Sequence, residues 1–215
     1  ENTYLAFRAE IIILSVKPQN INEVLEQIKE NVKDDTLIIS IAAGVRVGNI
    51  EKVLGDKAVI RVMPNTPALI AEGASALYAN DKAKGLIDKA LGILNSVGKA
   101  VVLEDENLLD TVTAVSGSGP AYFFLLIEEL VKSGVKLGLD EKVATDLVLQ
   151  TAKGAALLAV EAASRGESAA ELRRKVTSPG GTTEAALNTL YEGKIGDLIY
   201  AALKSAKDRS EELSG

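Results

Sequence analysis

The chain has no cysteine, no histidine, no tryptophan and a single methionine. Without cysteine there is no disulfide, and without cysteine or histidine there is no thiolate or imidazole metal site. The same absence excludes Ser-His-Asp and Cys-His nucleophilic catalysis. An all-carboxylate magnesium or calcium site stays open, although no Asp-x-Asp-x-Asp calcium loop occurs. Any catalysis must therefore rest on hydroxyls, backbone amides, carboxylates, lysine or a bound cofactor. An excess of positive charge is missing too: 24 Lys and Arg face 30 Asp and Glu, a net charge of −6. The basic residues are scattered, which argues against nucleic acid or an anionic membrane as partner. No uninterrupted apolar run approaches the roughly 18–20 residues of a membrane span. No signal peptide is visible at the N-terminus, so the expected location is cytoplasmic.

What is present suits a soluble globular protein: 215 residues, 47% hydrophobic and 25% charged, enough for one large domain or two modest ones. The first half alternates short apolar runs with helical patterns. Strands are expected at residues 11–16, 37–42, 59–63, 73–79 and 100–103, with helices at 21–32, 47–54 and 82–97. Near-continuous apolar strands alternating with helices predict a parallel α/β sheet, with ligands beyond the carboxyl ends of its strands. The loops there are Lys17-Pro18-Gln19, Ala42-Ala43-Gly44 and Pro64-Asn65-Thr66-Pro67. After about Glu104 strand signals vanish. Residues 121–137 are apolar on nearly every face of their first turns, which predicts a helix buried all round. Asp140 is placed to cap a second long helix, running to about Ser164 and dense in small residues. Shorter helices are expected at 168–175 and 184–190, and a last one at 197–213.

The most informative stretch is Thr177-Ser178-Pro179-Gly180-Gly181-Thr182-Thr183, set just before helix-forming sequence. Ser178 suits an N-cap and Pro179 the first helical position, which puts Gly180 and Gly181 next with bare amides. Such a helix start, flanked by hydroxyls, fits a small carboxylate. The alternative is an ordinary capped helix with a flexible glycine entry.

A dinucleotide-binding sheet normally opens with strand, Gly-x-Gly-x-x-Gly, helix. Residues 1–60 hold nothing of that form. Gly117-Ser118-Gly119-Pro120 lacks the third glycine and follows a helical segment, so it is expected to be a tight turn between two packed helices. The sheet is expected to begin mid-way, with Glu1-Asn2-Thr3 entering a strand.

Taken together, these motifs resemble pyrroline-5-carboxylate reductases. The likeness spans essentially the whole chain. It is carried by Val176-Thr177-Ser178-Pro179-Gly180-Gly181-Thr182-Thr183 with Ala185-Ala186-Leu187, and by Ala-Val-Ser-Gly-Ser-Gly-Pro-Ala-Tyr at 114–122. Arg-Val-Met-Pro-Asn-Thr-Pro-Ala at 61–68, Ile-Ser-Ile-Ala-Ala-Gly at 39–44 and Val-Lys-Pro-Gln at 16–19 support it. The resemblance implies reduction of the cyclic imine of 1-pyrroline-5-carboxylate to L-proline, the last step of proline biosynthesis, with hydride from NADPH or NADH. It implies a partial Rossmann-like parallel sheet over residues 1–104 and an all-helical dimerisation and substrate-binding domain over 105–215. It also implies a homodimer that often assembles into a decamer.

By the same resemblance Thr183 holds the ring nitrogen, and Ser178, Gly181 and Thr182 cradle the substrate carboxylate. Glu106 lies near the proline site, although Glu104, Asp105 and Glu106 equally suit a helix N-terminal turn. Val16 and Lys17 touch the dinucleotide, Ala43 lies near its nicotinamide end, and Asn2 contacts its adenosine part. A solvated loop at Lys17 and a tight turn at Ala43 are the bland alternatives. The chain departs from the family in lacking the Gly-rich turn and the strand that reads the adenine ribose, so as written it is expected to bind NAD(P)H weakly or not at all. The link at residues 161–175 is slightly longer than in typical members. Two other readings stay open. One is a different NAD(P)-dependent imine or 3-hydroxyacid reductase; the other is a non-catalytic oligomeric proline-binding protein.

Overall fold

The structure, a computed structural model, describes residues 2–214. It divides into two compact units, residues 1–120 with 202–215, and residues 121–201.

The first unit is built on five strands in sequence order, β1 (Ile11–Leu14), β2 (Leu37–Ser40), β3 (Ala58–Met63), β4 (Gly73–Ala79) and β5 (Gly98–Val102). Three helices alternate with them: α2 (Ile21–Ile28), α3 (Val47–Leu54) and α4 (Ile87–Leu94). Apolar residues along β2 and β3 are buried on both faces. Ile38 and Val59 pack with Leu25, Ile28, Val47 and Ile50 of α2 and α3. Their neighbours Leu37, Ile39 and Ile60 turn the other way, with Ala90 and Leu94 of α4. That is the period-two alternation of a strand between two helical layers.

β1, β2 and β3 are parallel, and so are β4 and β5, but β4 runs antiparallel to β3. The sheet is therefore mixed, not parallel throughout as the alternation predicted. The reason is connection length. Residues 64–72 are too few for a crossover helix, which takes a dozen or more residues, and they fold instead into a short 3-10 turn over Thr66–Ile70.

Three local expectations are also corrected. Asn2 and Thr3 do not enter a strand: Asn2–Arg8 is a helix, α1, and β1 starts only at Ile11. The expected helix at 82–97 is α-helical only over α4, with 3-10 turns on either side. Gly117-Ser118 is no tight turn. A helix α5 (Leu108–Val112) runs into a π-helical segment, Thr113–Gly117, and on into α6 (Gly119–Lys136). The extra residue per turn brings Gly117 against the end of β3, where an added Cβ would lie 2.5 Å from Met63 Cε. Asn65 fastens the same corner: its Nδ2 donates to the Ser116 carbonyl at 3.1 Å, and its Oδ1 accepts the Ala74 N–H at 2.8 Å.

The second unit holds most of α6, then α7 (Glu141–Ser164), α8 (Ala169–Lys175), α9 (Thr182–Glu192) and the start of α10 (Ile195–Ser214). Asp140 caps α7 as expected, its side chain accepting the N–H groups of Lys142 and Val143. Ser168 and Glu171 form a capping box on α8. The expectation that α6 is buried all round fails within one chain: Phe123, Phe124, Leu125 and Leu126 are all more than half exposed. Helix α7 is also long and apolar enough, by length and composition, to cross a membrane. Counting only unbroken runs missed it, because polar residues are spread thinly through its alanines and leucines.

Candidate functional site

In the first unit the strand-end loops lie at the carboxyl ends of parallel β1 and β2. Val16 is half-buried beside the core, and Lys17 is exposed. The Lys17 carbonyl accepts the Asn20 N–H at 2.9 Å, starting the turn into α2. Ala43 is exposed in a turn closed by Val45 N–H to the Ala42 carbonyl, 3.3 Å. Beside it Gly44 has φ +74° and stands so close to the end of α10 that a Cβ would meet the Leu213 carbonyl oxygen at 3.0 Å. An open cleft of about 560 Å³ follows this edge, lined among others by Pro18, Gly44, Val45, Asn49 and Leu213. Asn2 donates from Nδ2 to Gln27 Oε1 at 3.0 Å and borders a different, mostly apolar cleft with Leu5, Ile12 and Val16.

Glu106 has a definite job in this unit. Its Oε1 accepts the Val47 N–H at the start of α3, 2.8 Å, and pairs with Arg61 Nη1 at 3.1 Å. Negative charge at a helix N-terminus is favourable, and the Arg61 side chain, 4% exposed on β3, gains its counter-ion. Next to it Arg46 donates to Asn107 Oδ1 at 2.7 Å and to Asp110 Oδ2 at 3.3 Å. The other oxygen of buried Asp110 accepts the hydroxyls of Ser210 and Ser214, at 2.7 and 3.2 Å. A polar chain thus ties α3, β3, α5 and the last turns of α10. The sequence reading missed Arg46, Arg61, Asp110, Ser210 and Ser214. Only Arg61 left a signal, a charge inside an otherwise apolar strand.

The second unit holds Ser178, Gly181, Thr182 and Thr183. The helix starts three residues later than a cap at Ser178 implies, and two residues ahead of the helical run expected at 184–190. Gly181 is the N-cap of α9 and Thr182 its first residue. Gly180 has φ +71°, outside any right-handed helix, and Gly181 N–H bonds back to the Ser178 carbonyl at 3.0 Å. Pro at the second position and a left-handed Gly at the third make Ser178–Gly181 a type II turn. An added Cβ on Gly181 would stand 2.6 Å from Ser178 Oγ, a hydroxyl that can rotate away, and 3.0 Å from the Ser178 carbonyl oxygen, so a side chain there would crowd the turn. The unpaired amides of the helix start are therefore those of its first turn, beginning at Thr182 and Thr183. Ser178 and Thr182 are exposed and Thr183 is half-buried. The corner presents N–H groups, the positive end of a helix dipole and alcohol side chains, which suit a carboxylate with a nearby hydrogen-bonding nitrogen.

Comparison with known proteins identifies the family. Residues 106–213 match the pyrroline-5-carboxylate reductase dimerisation family, and residues 1–44 match the family of coenzyme F420-dependent NADP oxidoreductases. The pyrroline-5-carboxylate reductase of Pseudomonas aeruginosa is 47% identical over 208 residues, 96% of this chain and 75% of that protein. The chain belongs to the pyrroline-5-carboxylate reductase family. Among solved structures, a pyrroline-5-carboxylate reductase from Coxiella burnetii superposes with a TM-score of 0.95 at 39% identity, covering all of this chain and 80% of that one. The Plasmodium falciparum pyrroline carboxylate reductase with NADP bound gives 0.88 at 33% identity, covering all of this chain and 81% of that one. The fold is thus that of the family: a Rossmann-like sheet, mixed in strand direction, followed by a helical dimerisation domain.

Proposed function

We infer that this chain reduces 1-pyrroline-5-carboxylate to L-proline with NAD(P)H, and that the corner at Ser178–Thr183 holds the imino acid. The reading rests most on the 47% identity to a pyrroline-5-carboxylate reductase, sustained over 96% of the chain. It disfavours both the other reductase classes and a purely non-catalytic role. The bound dinucleotide supplies the hydride. Val16, Lys17 and Ala43 are its proposed contacts at the strand ends, where the exposed small residue at 43 leaves the loop approachable. Asn2 is the proposed contact to its adenosine part.

The protein's own task is placement. The amides of Gly181 and Thr182, with the Ser178 hydroxyl, receive the carboxylate; because Gly181 N–H already bonds the Ser178 carbonyl, Thr182 takes the larger share. The Thr183 hydroxyl holds the ring nitrogen, so that the imine carbon meets the nicotinamide in a fixed pose. A protonated imine is electrophilic enough to need no strong protein acid, which suits a chain without histidine or cysteine. Glu106 is proposed to border the proline site as well as anchoring Arg61.

The family's dimerisation domain spans α5 to α10. We propose a cytoplasmic homodimer, with decamers as a further assembly, in which the apolar faces of α6, α7 and α10 are covered by the partner chain and not by lipid. The test of the site is Thr183→Ala. It is expected to lower kcat/KM by one to three orders of magnitude, or roughly 1–4 kcal/mol. Unchanged kinetics would remove Thr183 from the site.

A further inference from the structure

The turn ahead of α9 has an unexpected occupant. The backbone N–H of Gly180 donates to Glu184 Oε2 at 2.7 Å. Glu184 lies in the first turn of α9, and it reaches back past the N-cap to a residue of the preceding turn. In a capping box the third helical residue takes the N–H of the cap itself. Here that N–H, on Gly181, is used by the Ser178 carbonyl, and the acid takes the next one upstream.

This contact decides the orientation of one peptide unit. Types I and II turns differ by a flip of the central peptide, here Pro179–Gly180, and only type II needs φ > 0 at the third residue. Gly180, at φ +71°, is in the type II state. In a trans peptide the N–H and C=O point in opposite directions. With the Gly180 N–H drawn to a side chain in the first turn of α9, the Pro179 carbonyl is turned away from that turn. The flipped turn would swing this carbonyl toward the helix start, setting a negative dipole where an anion must bind.

We propose that Glu184 is a positioning residue for the imino acid: it locks the type II turn, so that only donors face the substrate carboxylate. This rests on the assignment of Ser178–Thr183 as the imino-acid site. Glu184 does not itself touch the substrate. Its charge, placed at a helix N-terminus, is tolerated by the helix dipole.

The test uses the full-length protein and L-proline as the probe, measured by calorimetry, alongside steady-state kinetics with 1-pyrroline-5-carboxylate. Glu184→Ala is expected to weaken proline binding about tenfold, or ~1.4 kcal/mol, and to raise KM for the imino acid more than it lowers kcat. Glu184→Gln keeps an acceptor for the Gly180 N–H and is expected to stay within about twofold of the parent, a rescue that simple loss of negative charge would not give. In the free protein, the Gly180 amide is expected to exchange faster with solvent in Glu184→Ala than in Glu184→Gln. The proposal is overturned if Glu184→Ala binds proline as well as the parent does. It is equally overturned if Glu184→Ala binds more tightly, which would make Glu184 a competitor of the substrate. If Thr183→Ala loses proline binding while Glu184→Ala keeps it, only the positioning role fails. If both variants bind normally, the site assignment fails as well.

Discussion

Arg61 shows how a single residue is held in an apolar sheet. Its side chain is 4% exposed, and its ion-pair partner is Glu106, itself bound to the N-terminus of α3. Removing one member of a buried pair strands the other, at a cost of about 3–5 kcal/mol. Glu106 is 18% exposed at its side chain, so water relieves part of this. Glu106→Ala is therefore expected to lose about 3 kcal/mol in urea denaturation, and Glu106→Gln, which still accepts the Val47 N–H, clearly less. Equal stability of the parent and Glu106→Ala would show that the ion pair contributes nothing. The sequence offered Glu106 as a site residue or as an acid in the N-terminal turn of the helix that follows it; the structure shows it instead at the start of α3, 59 positions away along the chain. The hydroxyls and glycines at 178–183 were legible because they lie together along the chain. The Asp110 contacts were not, since Ser210 and Ser214 come from about a hundred positions away.

Helix starts were legible where a cap is a local contact. Asp140 and Ser168 each close their own helix within three residues. At Ser168 the backbone N–H and the hydroxyl both donate to Glu171. These bonds, the backbone one first, hold the Glu171 carboxyl below the usual glutamate range. A depressed folded-state pKa gives stability that is fully present above the unfolded value and is lost as pH falls through the folded one. Thermal melts should therefore show the parent's advantage over Glu171→Gln at neutral pH shrinking as pH drops below about 4.3. A difference constant across that range would mean that the carboxylate's charge plays no part in the cap. The start of α9 was misjudged for the opposite reason. Ser178 and Pro179 have the right residue types for a helix start, but the left-handed Gly180 spends them on a turn first.

A single chain leaves much apolar surface bare. Phe123, Phe124, Val160, Leu198 and Tyr200 are each more than half exposed, on helices that fall within the dimerisation family's match. Large apolar side chains exposed in such number point to contact with another molecule. Light scattering is expected to find at least a dimer, and Phe124→Glu to shift it toward monomer with a loss of about 2–4 kcal/mol in association, the range of an interface hot spot. A monomeric parent, or an undisturbed dimer in the variant, would place the interface elsewhere. Periodicity located these helices well. It equated an apolar helix with one buried in its own chain, and periodicity alone does not say which molecule covers an apolar face.

The sequence by itself determined most of the elements and the chemistry available: the five apolar runs that become strands, the helix starts that Asp140 and Ser168 cap locally, and a reaction without thiol or imidazole. Those are local facts, set by periodicity, capping and side-chain type within a few residues. Tertiary structure decided the antiparallel return of β4, the π-helical bend that seats Gly117 against Met63, and the pairing of Arg61 with Glu106 and of Asp110 with the last helix. Each joins groups far apart along the chain, so its energy exists only once the sheet and helices have packed.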